Sequence, residues 1–230
     1  MHPATVTGII ASFVLLLPVF IILYCKLYKH ISLLSLLFYY LFTGVYNLAG
    51  EGIISLNNEL RRTLGIVNNY LDVPLMLIVL LLFCTSKRKQ NTIYISLAGF
   101  VLFEIFVGIL FQFKRESLTY ILGPGILLIF SYSLILFAQH VKVSIEKNKG
   151  FGKTFMVTSI LFAYGCYTII YYFYYIQKTK DVSDVFLIYY IVSIVSSLLM
   201  AAGLILIYKK SKQIKEIQTT RKELAVFFKH

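Results

Sequence analysis

Apolar residues fall in seven long blocks separated by short polar stretches: Val6 to Tyr24, Ile31 to Ile53, Tyr70 to Thr85, Thr92 to Phe111, Tyr120 to His140, Thr154 to Ile176 and Val185 to Tyr208. A helix needs roughly 20 apolar residues to cross the hydrocarbon of a bilayer. In lipid, an open chain can satisfy its backbone polar groups only as helix or closed barrel. The pattern therefore predicts an all-α membrane protein, a seven-transmembrane-helix bundle over residues 1–208. Residues 209–230 change character, with Ile214, Ile217 and Leu224 set among Lys, Gln, Glu and Arg. They read as a basic amphipathic tail continuing out of span seven, either lying on the lipid surface or coupling to a signalling partner through Lys209 to His230.

Basic residues predict the orientation. The loops after spans one, three and five, with the tail, hold sixteen of the 22 Lys and Arg residues, leaving Arg61, Arg62, Lys114, Arg115, Lys178 and Lys180 on the other side. Cytoplasmic segments carry the Lys/Arg excess, so the N-terminus is expected outside and the C-terminus in the cytoplasm, in the plasma (inner) membrane. Met1 to Gly8 carries no Lys or Arg, and Lys26 and Lys29 follow the first apolar run. That polarity predicts a retained helix instead of a cleaved export signal.

Composition agrees: 59% hydrophobic and 14% charged residues, with a mean hydropathy of +0.80, lie far from the range of soluble domains. The net charge of +12 sits beside helix ends and in the tail, where anionic lipid accounts for it. The bilayer is the expected partner, and nucleic acid is not. Cys25, Cys84 and Cys166 avoid the outer loops, and neither His30 nor His140 has a His or Cys companion at ligand spacing. Neither a disulfide framework nor a metal or other cofactor is expected.

A charged carboxylate at the centre of a membrane helix costs about 2.5 to 3.5 kcal/mol on insertion scales, so three of them require an explanation. Glu104 lies among apolar neighbours in span four and must be neutral or paired, either as packing glue between helices or as part of a ligand, ion or proton site. Glu51, between Gly50 and Gly52, stands at the C-terminal end of span two, where the helix dipole disfavours an anion. Asp72, followed by Val73 and Pro74, reads as a helix N-cap with proline in the first turn, or as a pocket residue. Polar stripes at helical spacing point the same way. Tyr40, Thr43, Asn47 and Glu51 share a face of span two. Tyr164, Tyr167, Tyr171 and Tyr175 share one of span six, and Tyr189, Ser193, Ser196 or Ser197 and Met200 one of span seven. Gly123-Pro124-Gly125 is expected to open span five. The predicted ligand-binding set is Glu104, Glu51, Asp72, Asn47, Tyr164, Tyr167, Tyr171 and Ser193.

Seven helices with an external N-terminus is the layout of retinal proteins, and Tyr70-Leu71-Asp72 is similar to their Tyr-x-Asp pattern. Span seven has no lysine before Lys209, however, and so no attachment point for a Schiff base. No nucleophile elbow, zinc-protease helix or phosphate loop is present. The expected function is a receptor-like sensor with an outward-facing acidic, tyrosine-lined cavity for a cationic or amphipathic small molecule. Its rival is a small proton- or cation-coupled transporter using the same cavity. A lipid-modifying enzyme with Asp72 or Glu104 as acid or base comes third, since neither nucleophile nor metal accompanies them.

Overall fold

Pro18 divides the first span. Without an N–H it cannot continue the hydrogen-bond ladder, and the chain forms α1 (Pro3–Leu15) and α2 (Leu17–Tyr24) about a break at Leu16. Gly44 accommodates the displaced Leu16 side chain, which a Cβ at that position would strike. The computed structural model describes residues 3–177 and 182–227; Lys178, Lys180 and the last tail residues, 228–230, lie outside the described residues.

The remaining helices are α3 (Ile31–Gly50), α4 (Asn58–Leu80), α5 (Lys87–Leu110), α6 (Arg115–Lys147), α7 (Phe151–Tyr171) and α8 (Val182–Phe227). Among the described residues, seven helices are long and apolar enough to cross a membrane, with α1 and α2 making up one of them. The polar loops between them thus separate the spans as the hydropathy pattern predicts.

Boundaries differ from expectation where a glycine ends a helix early or polar residues extend one. Span two stops at Gly50 and not at Ile53, because Gly52 takes a φ of 75° and Ile53 N–H turns back to the Leu48 carbonyl at 3.0 Å, the glycine-terminated arrangement of a helix C-terminus. Asn57 caps α4, its side chain accepting the Leu60 N–H at 2.7 Å. Asp72 is therefore not an N-cap; it lies in the middle of α4, and Pro74 sits inside the helix. Likewise Gly123-Pro124-Gly125 does not open span five, because α6 begins at Arg115 and runs through it. Those two glycines serve close packing instead. Tyr171 lies across Gly123, while Val73 and Phe100 press against Gly125.

Six spans form a ring, in which the first packs on α3 and α8, α3 on α4, α4 on α6, α6 on α7, and α7 on α8. α5 stands outside the ring against α4 and α6. Its outer face is apolar, with Leu102 68% and Phe106 62% exposed, a surface suited to lipid. α7 and α8 form the most extensive pair, and their closest approach is at two facing glycines. A Cβ on Gly152 would lie 2.9 Å from the Gly203 carbonyl oxygen, and one on Gly203 would lie 2.7 Å from that of Gly152. Close backbone approach at small residues is how membrane helices gain packing energy. Ser159 adds a 2.6 Å hydrogen bond to the Ser196 carbonyl across the same pair.

At the end of the ring carrying most of the lysines, called the basic end below, α4 finishes in a 3-10 turn, Leu81–Phe83. Its last carbonyls are held by neighbouring helices. Lys153 of α7 donates to Leu82 O at 2.7 Å, and His140 of α6 bonds Phe83 O through Nε2 at 2.8 Å. Basic side chains at a helix C-terminus satisfy orphan carbonyls and complement the dipole.

Gly203→Leu is expected to destabilise the folded protein by about 1–3 kcal/mol through overpacking. Gly99→Leu, where nothing lies within 4 Å of the new Cβ, should stay within about 0.5 kcal/mol of wild type. Unfolding of both variants in detergent checks the contrast.

Candidate functional site

A cavity of about 860 Å³ enters the ring from the end opposite the basic one. Five helices, α3, α4, α6, α7 and α8, supply its polar lining. α4 contributes a full stripe, Asn58, Arg61 and Arg62, Gly65, Asn68 and Asn69, and Asp72, recurring every three to four residues on one helical face. From Arg61 to Asp72 this stripe descends about 16 Å at the helical rise. Asp72 therefore lies deep in the cavity and the two arginines nearer its mouth, and Glu51 and Glu116 also line it.

Four polar contacts cross between helices around the cavity. Asp72 Oδ1 accepts the Tyr164 hydroxyl at 2.5 Å, and Tyr164 is fully buried just beneath the cavity lining. Thr43 donates to Asn68 Oδ1 at 3.2 Å, joining α3 to α4. Asn47 Nδ2 donates to the Tyr189 hydroxyl at 3.0 Å, and the Tyr190 hydroxyl donates to Glu51 Oε1 at 2.5 Å. These last two contacts bridge α3 and α8 by side chains alone. Glu51 also packs against Gly8 of α1, where a Cβ would overlap its carboxylate. The pairing with Tyr190 explains how an anion is tolerated at the negative end of α3, since a hydrogen bond to the charged oxygen offsets the unfavourable dipole.

Aromatic rings form the opposite wall. Tyr164 and Tyr167 meet edge to face at 5.5 Å, Tyr167 and Tyr189 stack at 6.0 Å, and Tyr171 and Tyr175 stack at 5.3 Å. Tyr171 also donates to Thr119 O at 2.6 Å, fastening α7 to α6. Beneath Asp72 and Tyr164 the ring is filled by buried apolar side chains, among them Leu77, Leu80, Met156, Ile160 and Met200. The cavity is blind.

Asn47, Glu51, Asp72, Tyr167 and Tyr171 of the predicted set line this cavity, Tyr164 bonds Asp72 from below, and Ser193 is buried on α8 without lining it. Glu104 is not brought to it. It is 5% exposed on α5, and Oε1 has no hydrogen-bond partner among the described residues. Of the acidic residues of spans two, three and four, Glu51 and Asp72 line the cavity, whereas Glu104 lies outside the lining on α5, close enough to Asp72 for their charges to interact. The sequence reading missed Arg61, Arg62, Asn68 and Asn69, having started span three at Tyr70. Their spacing with Asp72 was the available signal. The lining thus carries both signs of charge, three carboxylates and two guanidinium groups.

The described residues contain no group of three or more His, Cys, Asp or Glu placed to hold a metal ion. No known protein family, curated protein or solved structure matches this chain.

Tyr164→Phe is expected to cost about 1.5–3 kcal/mol, the range for a hydrogen bond to a charged group. Tyr132→Phe, which removes a hydroxyl bonded to Ser96 on the lipid-facing α5, should cost no more than about 1.5 kcal/mol. Chemical unfolding in detergent measures both.

Proposed function

We propose that the protein is a receptor-like sensor of the plasma (inner) membrane, with its N-terminus outside and its C-terminus in the cytoplasm. It binds a cationic or amphipathic small molecule in the ring cavity. The observation that carries this reading is the form of the cavity: deep, closed below by apolar packing, and floored by a carboxylate among stacked tyrosines. An amine reaching the floor meets Asp72 and aromatic faces, which attract cations electrostatically. Arg61 and Arg62 near the mouth suit a ligand whose other end is polar or anionic.

A sensor also needs a path across the membrane, and α8 supplies a candidate. Phe186, Tyr189 and Tyr190 line the cavity, and the same helix runs unbroken through 46 residues to Phe227, about 69 Å at the helical rise. Movement of its cavity-lining segment would reach the tail without crossing a hinge. The alternative, a proton-coupled transporter, is favoured by one observation, the buried Glu104 carboxyl, whose Oε1 has no hydrogen-bond partner among the described residues. A blind cavity and a fastened basic end argue for the sensor.

A thermal-shift screen of amines and amphiphilic cations in detergent is the direct test. A ligand at 100 times its dissociation constant should stabilise wild type by about 2.7 kcal/mol. Asp72→Asn should lose the shift, and Glu104→Gln should keep it. The reverse pattern would overturn the assignment. Uptake of the same ligand into proteoliposomes would establish transport instead of sensing, whereas binding without uptake, with signalling lost on removal of residues 212–230, supports the sensor.

A further inference from the structure

A second hollow, of about 350 Å³, lies at the basic end between the α2–α3 turn and α8, remote from the cavity just described. Its volume corresponds to roughly a dozen waters at about 30 Å³ each, room for a polar headgroup as opposed to a bare ion. Lys26, Lys29 and His30 line it from the turn, and Ser211 and Lys212 from α8. No carboxylate is among its described lining residues. Lys212 pairs with Glu216 at 3.9 Å on the exposed helix surface, a pairing too solvated to neutralise the site.

Local geometry gathers the charge. Lys26 adopts a φ of 52°, a left-handed conformation that residues with a Cβ seldom take, and a short 3-10 turn, Leu27–Lys29, follows it. His30 Nδ1 accepts the Ser32 N–H at 3.3 Å. A neutral His30 ring therefore carries its proton on Nε2, as a donor. Donors and positive charge meet here, and no carboxylate is among the described lining residues.

The flanking surface is apolar and exposed, with Tyr24 86% and Ile31 62% accessible. A basic pocket next to lipid-facing apolar side chains matches an amphiphile with an anionic head. We propose that this pocket binds the phosphate-bearing headgroup of an anionic phospholipid, its acyl chains lying along Tyr24 and Ile31. Because Tyr208 and Lys212 line the pocket where α8 leaves the bundle, the bound lipid fastens the start of the tail to the α2–α3 turn. This site does not depend on the ligand of the ring cavity.

Native mass spectrometry from detergent, with phosphatidylglycerol or phosphatidylcholine titrated in, tests the proposal. Wild type should hold one phosphatidylglycerol at least tenfold more tightly than phosphatidylcholine. The triple variant K26Q/K29Q/K212Q should weaken that binding on the order of 100-fold, since each lysine at an anionic surface contributes about fivefold. The control K87Q/K147Q/K149Q removes the same charge from exposed positions at the same end and should leave binding intact. Equal loss in both variants, or equal retention of the two lipids by wild type, would overturn the site. Displacement of the lipid by inorganic phosphate would overturn the lipid assignment in favour of a free anion. The substituted lysines are exposed, and unchanged thermal midpoints for both variants would show that folding is intact.

Discussion

The backbone contact between Gly152 and Gly203 sets the architecture around it. With no side chain on either residue, α7 and α8 approach until carbonyl oxygens limit them. Toward the other end of the same pair, Tyr167 and Tyr189 meet ring to ring, and two aromatic side chains now occupy the space between helices. A pair closed by glycines at one end and propped by tyrosines at the other leaves a hollow at the propped end. The cavity begins there, and Met156, pressed against Gly203, helps to fill the closed end.

Lipid is a poor neighbour for the amides, hydroxyls and carboxylates of α3, α4 and α7, so these groups turn inward and satisfy one another across the hollow. Asp72 with Tyr164, Thr43 with Asn68, Asn47 with Tyr189, and Glu51 with Tyr190 each join two helices. A hydrogen bond between helices positions both partners as well as stabilising them. The same contacts that hold the ring together therefore orient the lining that a ligand would meet.

The two ends are built differently. At the basic end, Lys153 and His140 fasten the last carbonyls of α4 to α7 and α6, and lysines of the α2–α3 turn and α8 surround a second, smaller hollow. At the cavity end, α3 and α8 are bridged by the long side chains of the Asn47–Tyr189 and Glu51–Tyr190 pairs. The bundle is tight and cationic at one face, open and aromatic at the other, with α8 continuous between them.

The number of spans was legible in the sequence because each lies in an apolar block bounded by charge. The tyrosine face of α7 and the Asn47–Glu51 face of α3 were also legible, since helical periodicity alone puts their members on one side. The upper half of α4 was not: Asn58 to Asn69 is too polar to read as part of a span, and the hollow it faces gives that polar stripe a place inside the bundle. Gly123 and Gly125 looked like a helix start, whereas packing against Tyr171, Val73 and Phe100 determines their role. Glu104 shows the limit most clearly. Hydropathy and spacing describe each helix separately, and the placement of α5 outside the ring depends on which faces fit together. The sequence by itself determined seven helices and the polar stripes they carry; tertiary packing decided which stripes share a cavity, because that depends on helix neighbours and contact distances that one-dimensional periodicity does not contain.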